Sequence, residues 1–110
     1  MNWVLITEFP QALDFTENGM LEMELEGRKF TLAKWAEGYY AFAQKCPHAS
    51  GRMASGYINI QGQVVCPLHR YAFDMKNGRN TTGEGYFLKT YPVETRPEGI
   101  FIGFKPNSFF

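Results

Sequence analysis

Two short segments hold every cysteine and every histidine of the chain. Residues 45–53 read KCPHASGRM and residues 66–74 read CPLHRYAFD, so each contributes one thiol and one imidazole beside a proline. Cys46 and His48 are separated by one residue, Cys66 and His69 by two, and seventeen residues lie between His48 and Cys66. A stretch of that length accommodates a β-hairpin. A fold that joins the two segments must therefore carry each at the tip of a β-excursion. Pro47 and Pro67 fix φ and remove a backbone donor, which stiffens both loops as a preorganised metal site requires.

The rest of the chain supplies the excursions. In MLEMELEG, Leu21, Met23 and Leu25 alternate with Glu22, Glu24 and Glu26, the period of a half-buried strand, and Met20 breaks the alternation. EGRK turns the chain into FTLAKW, with Phe30 and Leu32 on one side, and AEG turns it again into YYAFAQ, which runs into Cys46. GYINI and QVVC flank the turn QG as a hairpin that delivers Cys66. KNGRNTTGEG has no apolar period and reads as a loop. YFLKTYPVET and GIFIGF read as a closing hairpin around RPEG. The pattern shows no helix and no linker, so the expected class is all-β, with two or three small antiparallel sheets. FPQALDF reads as a short connection. The terminal Phe109 and Phe110 are suited either to packing on the chain's own core or to docking a partner.

Composition narrows the function classes. A chain of 110 residues is expected to fold as one domain, 1–110. Eleven Lys and Arg against eleven Asp and Glu give a net charge of zero, which argues against nucleic acid or an anionic membrane surface as partner. No apolar run has transmembrane length, and MNWVLITEFP lacks the basic and apolar regions of a signal peptide, so a cytoplasmic protein is expected. In that compartment two cysteines are more often reactive or metal-bound than disulfide-linked, and a disulfide leaves the paired histidines unexplained.

Two thiolates and two imidazoles converging on one volume can hold metal. A structural zinc ion accepts Cys₂His₂ ligands, but zinc fingers pair Cys with Cys and His with His, whereas each pair here is mixed and the Cys-x-His spacing is tight. Mixed pairs suit a two-iron cluster, because each loop can give a sulfur to one iron and a nitrogen to the other. C-x-H, seventeen residues, then C-x-x-H resembles the Rieske [2Fe–2S] signature. SGYINIQGQVVCPLHRYAFDMKNG and LKTYPV extend the likeness to small Rieske ferredoxins of the bacterial ring-hydroxylating oxygenase type, over roughly residues 30 to 104. The resemblance implies a cluster-binding subdomain of two loops spanning approximately 44–87. Within it Cys46 and Cys66 would bind one iron, and His48 and His69 the other.

It also implies a function. A cluster with four protein ligands leaves no open position for substrate, so the expected role is electron transfer. Terminal oxygenases of the family add a mononuclear iron on further histidines, which this chain does not possess. The expected partners are a flavin-containing reductase and a terminal oxygenase or other oxidoreductase. The alternatives are a small subunit of a larger reductase, such as nitrite reductase, and a structural zinc module. High-potential members carry a serine and a tyrosine that donate to cluster sulfurs. Tyr71 and Phe73 stand at those positions, so a potential near the low end of the range, about −150 mV, is expected. Met53 matches an apolar shield of the cluster. TTGEGYF lacks the usual prolines of a third covering loop but brings Tyr86 and Phe87. Lys45, Arg52, Arg70, Lys76 and Arg79 form a basic excess around the two segments, with Arg70 at a position often occupied by glycine in the family.

Overall fold

The computed structural model describes residues 1–48 and 51–106, so the Phe109–Phe110 tail lies outside the described residues. Its strands are β1 (Asn2–Thr7), β2 (Met20–Leu25), β3 (Arg28–Trp35), β4 (Gly38–Phe42), β5 (Tyr57–Ile58), β6 (Gln63–Val65), β7 (Ala72–Asp74), β8 (Thr90–Tyr91), β9 (Val93–Arg96) and β10 (Gly99–Phe104). They form three antiparallel sheets ordered β2-β3-β4-β8, β1-β10-β9 and β5-β6-β7. The helical elements among the described residues are single 3₁₀ turns at Pro10–Ala12, within the expected connection, and at Met53–Ser55.

The four-stranded sheet is the wall between two cores. Glu26 and Gly27 turn through φ of 51° and 76°, the left-handed pair of a two-residue hairpin turn, which sets Leu25 opposite Arg28. On β3, Phe30 and Leu32 enter one core with Ala41, Ile102 and Phe104. Ala33 enters the other, with Met20, Phe42, Cys46, Met53, Val64, Cys66, Phe73, Met75 and Leu88. Thr31 lies between them, fully buried, and its hydroxyl donates to the Ala43 carbonyl at 3.3 Å. Met20, which breaks the alternation of β2, is thereby explained. It stands on the strand's glutamate face, where the third sheet covers that face, and is fully buried.

The sheet β5-β6-β7 sits on this wall through the second core. Each large apolar side chain fully buried there contributes roughly 1.5–3 kcal/mol, against about 1 kcal/mol for a hydrogen bond. Apolar burial therefore holds the sheet on, and polar contacts set where it sits. The principal contact is Asn18, whose Nδ2 donates to the carbonyls of Ala54 at 2.8 Å and Gly56 at 2.6 Å. Gln44, just after β4, is held to the wall itself, its Nε2 donating to the carbonyls of Met23 on β2 and Phe30 on β3, both at 3.2 Å.

Two parts of the chain differ from the sequence expectation. YFLKTYPVET is not one strand. β8 pairs with β4, β9 pairs with β10, and Pro92, which has no N–H to donate, stands where the chain changes sheets. NWVLIT, unassigned from the sequence, is β1, and it pairs with β10 almost a full chain length away.

Candidate metal centre

Both ligand-bearing segments are loops closed in the same way. The first leaves β4 through Gln44 and is pinched by a bridge between Lys45 and Arg52. Inside it the Cys46 N–H donates to the Gly51 carbonyl at 2.8 Å. The second is the loop of the β6–β7 hairpin, where the Cys66 N–H donates to the Tyr71 carbonyl at 2.8 Å. In each, the cysteine amide binds the carbonyl five residues further on, so the repeated Cys-Pro pattern is a repeated backbone device. The second loop turns through two consecutive left-handed residues, His69 at φ 63° and Arg70 at φ 58°.

The four candidate ligands divide by depth. Cys46 and Cys66 are free thiols in the second core, at 3% and 0% exposure. Burial in the first place, then the neighbouring Cys46, pushes the Cys66 thiol up to about 11, opposed by the Leu68 amide. The two imidazoles have ring centroids 5.0 Å apart. His48 is half-buried and His69 exposed. His48 Nδ1 is buried with no hydrogen-bond partner. A buried nitrogen lone pair or N–H left unmatched is costly unless something else binds it.

That pattern fits a two-metal group better than a single ion. Among the described residues no three His, Cys, Asp or Glu side chains surround one point that an ion could occupy. The donors come instead as two neighbouring thiols and two neighbouring imidazoles, and the unpartnered Nδ1 is a donor atom available to metal. Gly51 is a close neighbour of this space. A Cβ there would stand 3.2 Å from Cys66 Sγ and 3.1 Å from the Leu68 side chain.

The surrounding residues correct several sequence expectations. Tyr71 is half-buried and packs against the second core. Its ring lies 4.2 Å from that of His48 and 5.9 Å from that of Tyr86, which is itself 5.4 Å from His48, so two tyrosines cover the inner imidazole. Phe87 does not cover the site and is 67% exposed. Met53 is fully buried among the same side chains as both cysteines, the position of an apolar shield. Arg52 is not a free member of a basic rim. Its guanidinium donates to both carboxylate oxygens of Glu22, at 2.5 and 3.2 Å, and the bond to Glu22 raises its already high pKa.

The third loop lacks proline but is braced by side chains that the sequence reading did not single out. Asn80 Nδ2 donates to the Ala72 carbonyl at 3.3 Å, while Asn80 Oδ1 accepts the Glu84 N–H at 2.7 Å. The Thr81 N–H also donates to Ala72, at 2.9 Å. The Asn-Thr pair was a visible signal, since such side chains organise loops by bonding nearby backbone. Asn80→Ala is expected to destabilise the fold by only about 1–2 kcal/mol. It should nevertheless speed hydrogen exchange of the Glu84 amide at least tenfold, measured against an unchanged Leu88 amide.

No helix among the described residues is long and apolar enough to cross a membrane. Comparison with known proteins gives one consistent set of likenesses. The Rieske [2Fe-2S] domain family matches residues 3–92. The ferredoxin component of the naphthalene 1,2-dioxygenase system of Pseudomonas putida is 33% identical over 90 residues, 81% of this chain and 86% of that protein. Among solved structures, the ferredoxin of carbazole 1,9a-dioxygenase from Nocardioides aromaticivorans IC177 superposes with a TM-score of 0.78 at 20% identity, covering 96% of this chain and all of that one. A protein described as an NADH-dependent nitrite reductase small subunit from Mycobacterium tuberculosis has the same fold, with a TM-score of 0.76 at 19% identity over 92% of this chain and 93% of that one.

Proposed function

The chain belongs to the Rieske [2Fe–2S] domain family and is an electron carrier by that membership, and we propose that it is the free-standing ferredoxin of an oxygenase system. In this reading it takes single electrons from a flavin-containing reductase and delivers them to a terminal oxygenase in the cytoplasm. The cluster-binding unit would span approximately residues 44–87, with Cys46 and Cys66 holding one iron and His48 and His69 the other. When bound, the cluster supplies a one-electron couple, raised in potential relative to all-thiolate clusters because two ligands are neutral imidazoles.

The single observation that supports the ligand assignment is His48 Nδ1, buried and unpartnered, on an imidazole 5.0 Å from that of His69, in a chain whose two thiols are both free and buried. The remaining residues support the same role. Met53, Val64 and Phe73 keep water from the thiols. Tyr71 and Tyr86 cover His48, leaving His69 as the exposed edge through which a partner is reached. Nothing in this arrangement binds and turns over a substrate; it positions a redox couple close to the surface.

The test is reconstitution with iron and sulfide, followed by analysis of both, EPR of the reduced form and a redox titration. Two irons and two sulfides per chain, a signal of mixed nitrogen and sulfur ligation, and a reversible couple near the low end of the family range, about −150 mV, are expected. A colourless protein containing zinc and no acid-labile sulfide would establish the structural-zinc alternative instead. A second reading, a small subunit of a nitrite reductase, is favoured by the fold likeness to such a subunit. Isolation as a monomer that is reversibly reduced decides for the carrier.

A further inference from the structure

The exposed imidazole belongs to ligand-bearing stretches that carry a single fixed charge between them. Across residues 46–48 and 66–71, Arg70 is the only side chain with a fixed charge. Pro47, Pro67 and Leu68 are exposed there beside His69. Arg70 is itself exposed, and it has no part in the ion pairs among the described residues, Arg52–Glu22 and Arg96–Glu94. Its backbone is in the left-handed region at φ 58°, directly after His69 at φ 63°. A side chain there crowds the backbone, and glycine carries no such penalty. Arginine therefore occupies a position that backbone energetics would give to glycine, and no ion pair among the described residues offsets the cost. Residues held in this region cluster at functional sites.

The charge around it has the same sign. Residues 45–87 carry five cations against two carboxylates, whereas residues 1–44 carry seven carboxylates against three cations. Of the carboxylates near the ligand loops, Glu22 is taken by Arg52, Asp74 accepts the Lys76 N–H at 2.8 Å, and Glu84 is bound into the third loop through Thr82. We propose that Arg70, set beside His69 on the electron-exit face, is the residue that selects an acidic partner surface, meeting a carboxylate of that partner within an otherwise apolar contact. The proposal rests on the reading of the chain as a Rieske electron carrier and names the chemistry of the surface that carrier docks on. An exposed cation in water attracts weakly. Between two apolar faces that exclude water the same cation acts much more strongly, on both encounter rate and orientation.

The experiment uses the holoprotein and two small oxidants of opposite charge, ferricyanide and tris(phenanthroline)cobalt(III). Arg70→Gln is expected to slow oxidation of the reduced protein by the anionic oxidant about threefold at low ionic strength and to speed oxidation by the cationic one about as much. Both effects should vanish at high salt, where the Debye length falls to about 3 Å. Lys105→Gln, beyond the end of β10, should change neither rate. A change of the same sign with both oxidants would be a shift of driving force rather than of field, and it would overturn the proposal, as would no change at all. A second arm measures thermal unfolding. Arg70→Gly should melt about 4 °C above Arg70→Gln, since both lack the charge and differ in their tolerance of the left-handed backbone. Equal midpoints would remove the argument that arginine is kept there at a cost. If no visible absorbance or reversible couple appears in the unsubstituted protein, the carrier reading itself fails. An intact couple with charge-insensitive rates sinks the role of Arg70 alone.

Discussion

His69→Ala, reconstituted with iron and sulfide, should leave a folded but nearly colourless protein, with iron content down at least tenfold. The size of this effect follows from where His69 stands. Its side chain is exposed, so truncation opens no cavity, and alanine at φ 63° meets much the same backbone cost as histidine. The melting midpoint of the metal-free chain should therefore change little, and any loss of cluster reports ligation rather than folding. Cys66→Ala complements it from the thiol side. That sulfur is fully buried, and its removal costs the metal-free fold about 1 kcal/mol of apolar contact while taking away one of the buried donors. His48→Ala would be a poorer test, because its ring also packs against both Tyr71 and Tyr86. Full absorbance in His69→Ala, or full iron in Cys66→Ala, would refute the ligand assignment. The naphthalene dioxygenase ferredoxin component and its relatives would then be guides to the fold but not to this site.

The candidate ligands were legible because rare residue types concentrated in two segments leave few ways to be explained. The meander β2–β4 was legible because each strand alternates and each turn carries its own signal at EGRK and AEG. β1 was not, for a physical reason. Trp3 and Leu5 lie on its exposed face, so NWVLIT shows no contrast between sides, and its pairing with β10 is set by contacts from the other end of the chain. Short strands such as β7 and β8 carry too few residues to display a period, and they form because neighbouring strands offer an edge. Tyr71 was placed in sequence beside His69, but only the turn at His69 and Arg70 brings its ring onto His48. Arg52 read as part of a basic rim because its partner Glu22 lies thirty residues away, on the polar face of β2. Asn18 gave no sign of tying the third sheet to the wall, since side-chain bonds to distant backbone leave no local pattern.

Gly78→Ala should cost far more than its single added carbon suggests, about 2–5 kcal/mol, and it should do so by prying the third loop from the site. Gly78 stands at φ 77°, where a Cβ costs about 1–2 kcal/mol by itself. The added carbon would also overlap the Leu88 carbonyl oxygen and lie 3.1 Å from its carbon, and overpacking of that kind costs a further 1–3 kcal/mol, roughly. Neither neighbour can yield easily. The Gly78 N–H donates to the Asp74 carbonyl at 2.8 Å, its own carbonyl accepts the Leu88 N–H at 2.9 Å, and the Leu88 side chain is anchored in the core shared with both cysteines. If the loop moves to relieve the clash, Tyr86 leaves His48, and the inner imidazole loses part of its cover. Gly83→Ala separates the two contributions. Gly83 has φ 88° but nothing within 4 Å of where a Cβ would stand, so its alanine carries only the backbone cost. Urea midpoints at unchanged slope should therefore rank native above Gly83→Ala, with Gly78→Ala well below both. Equal losses in the two variants would show that the approach of Leu88 to Gly78 does not hold the third loop in place.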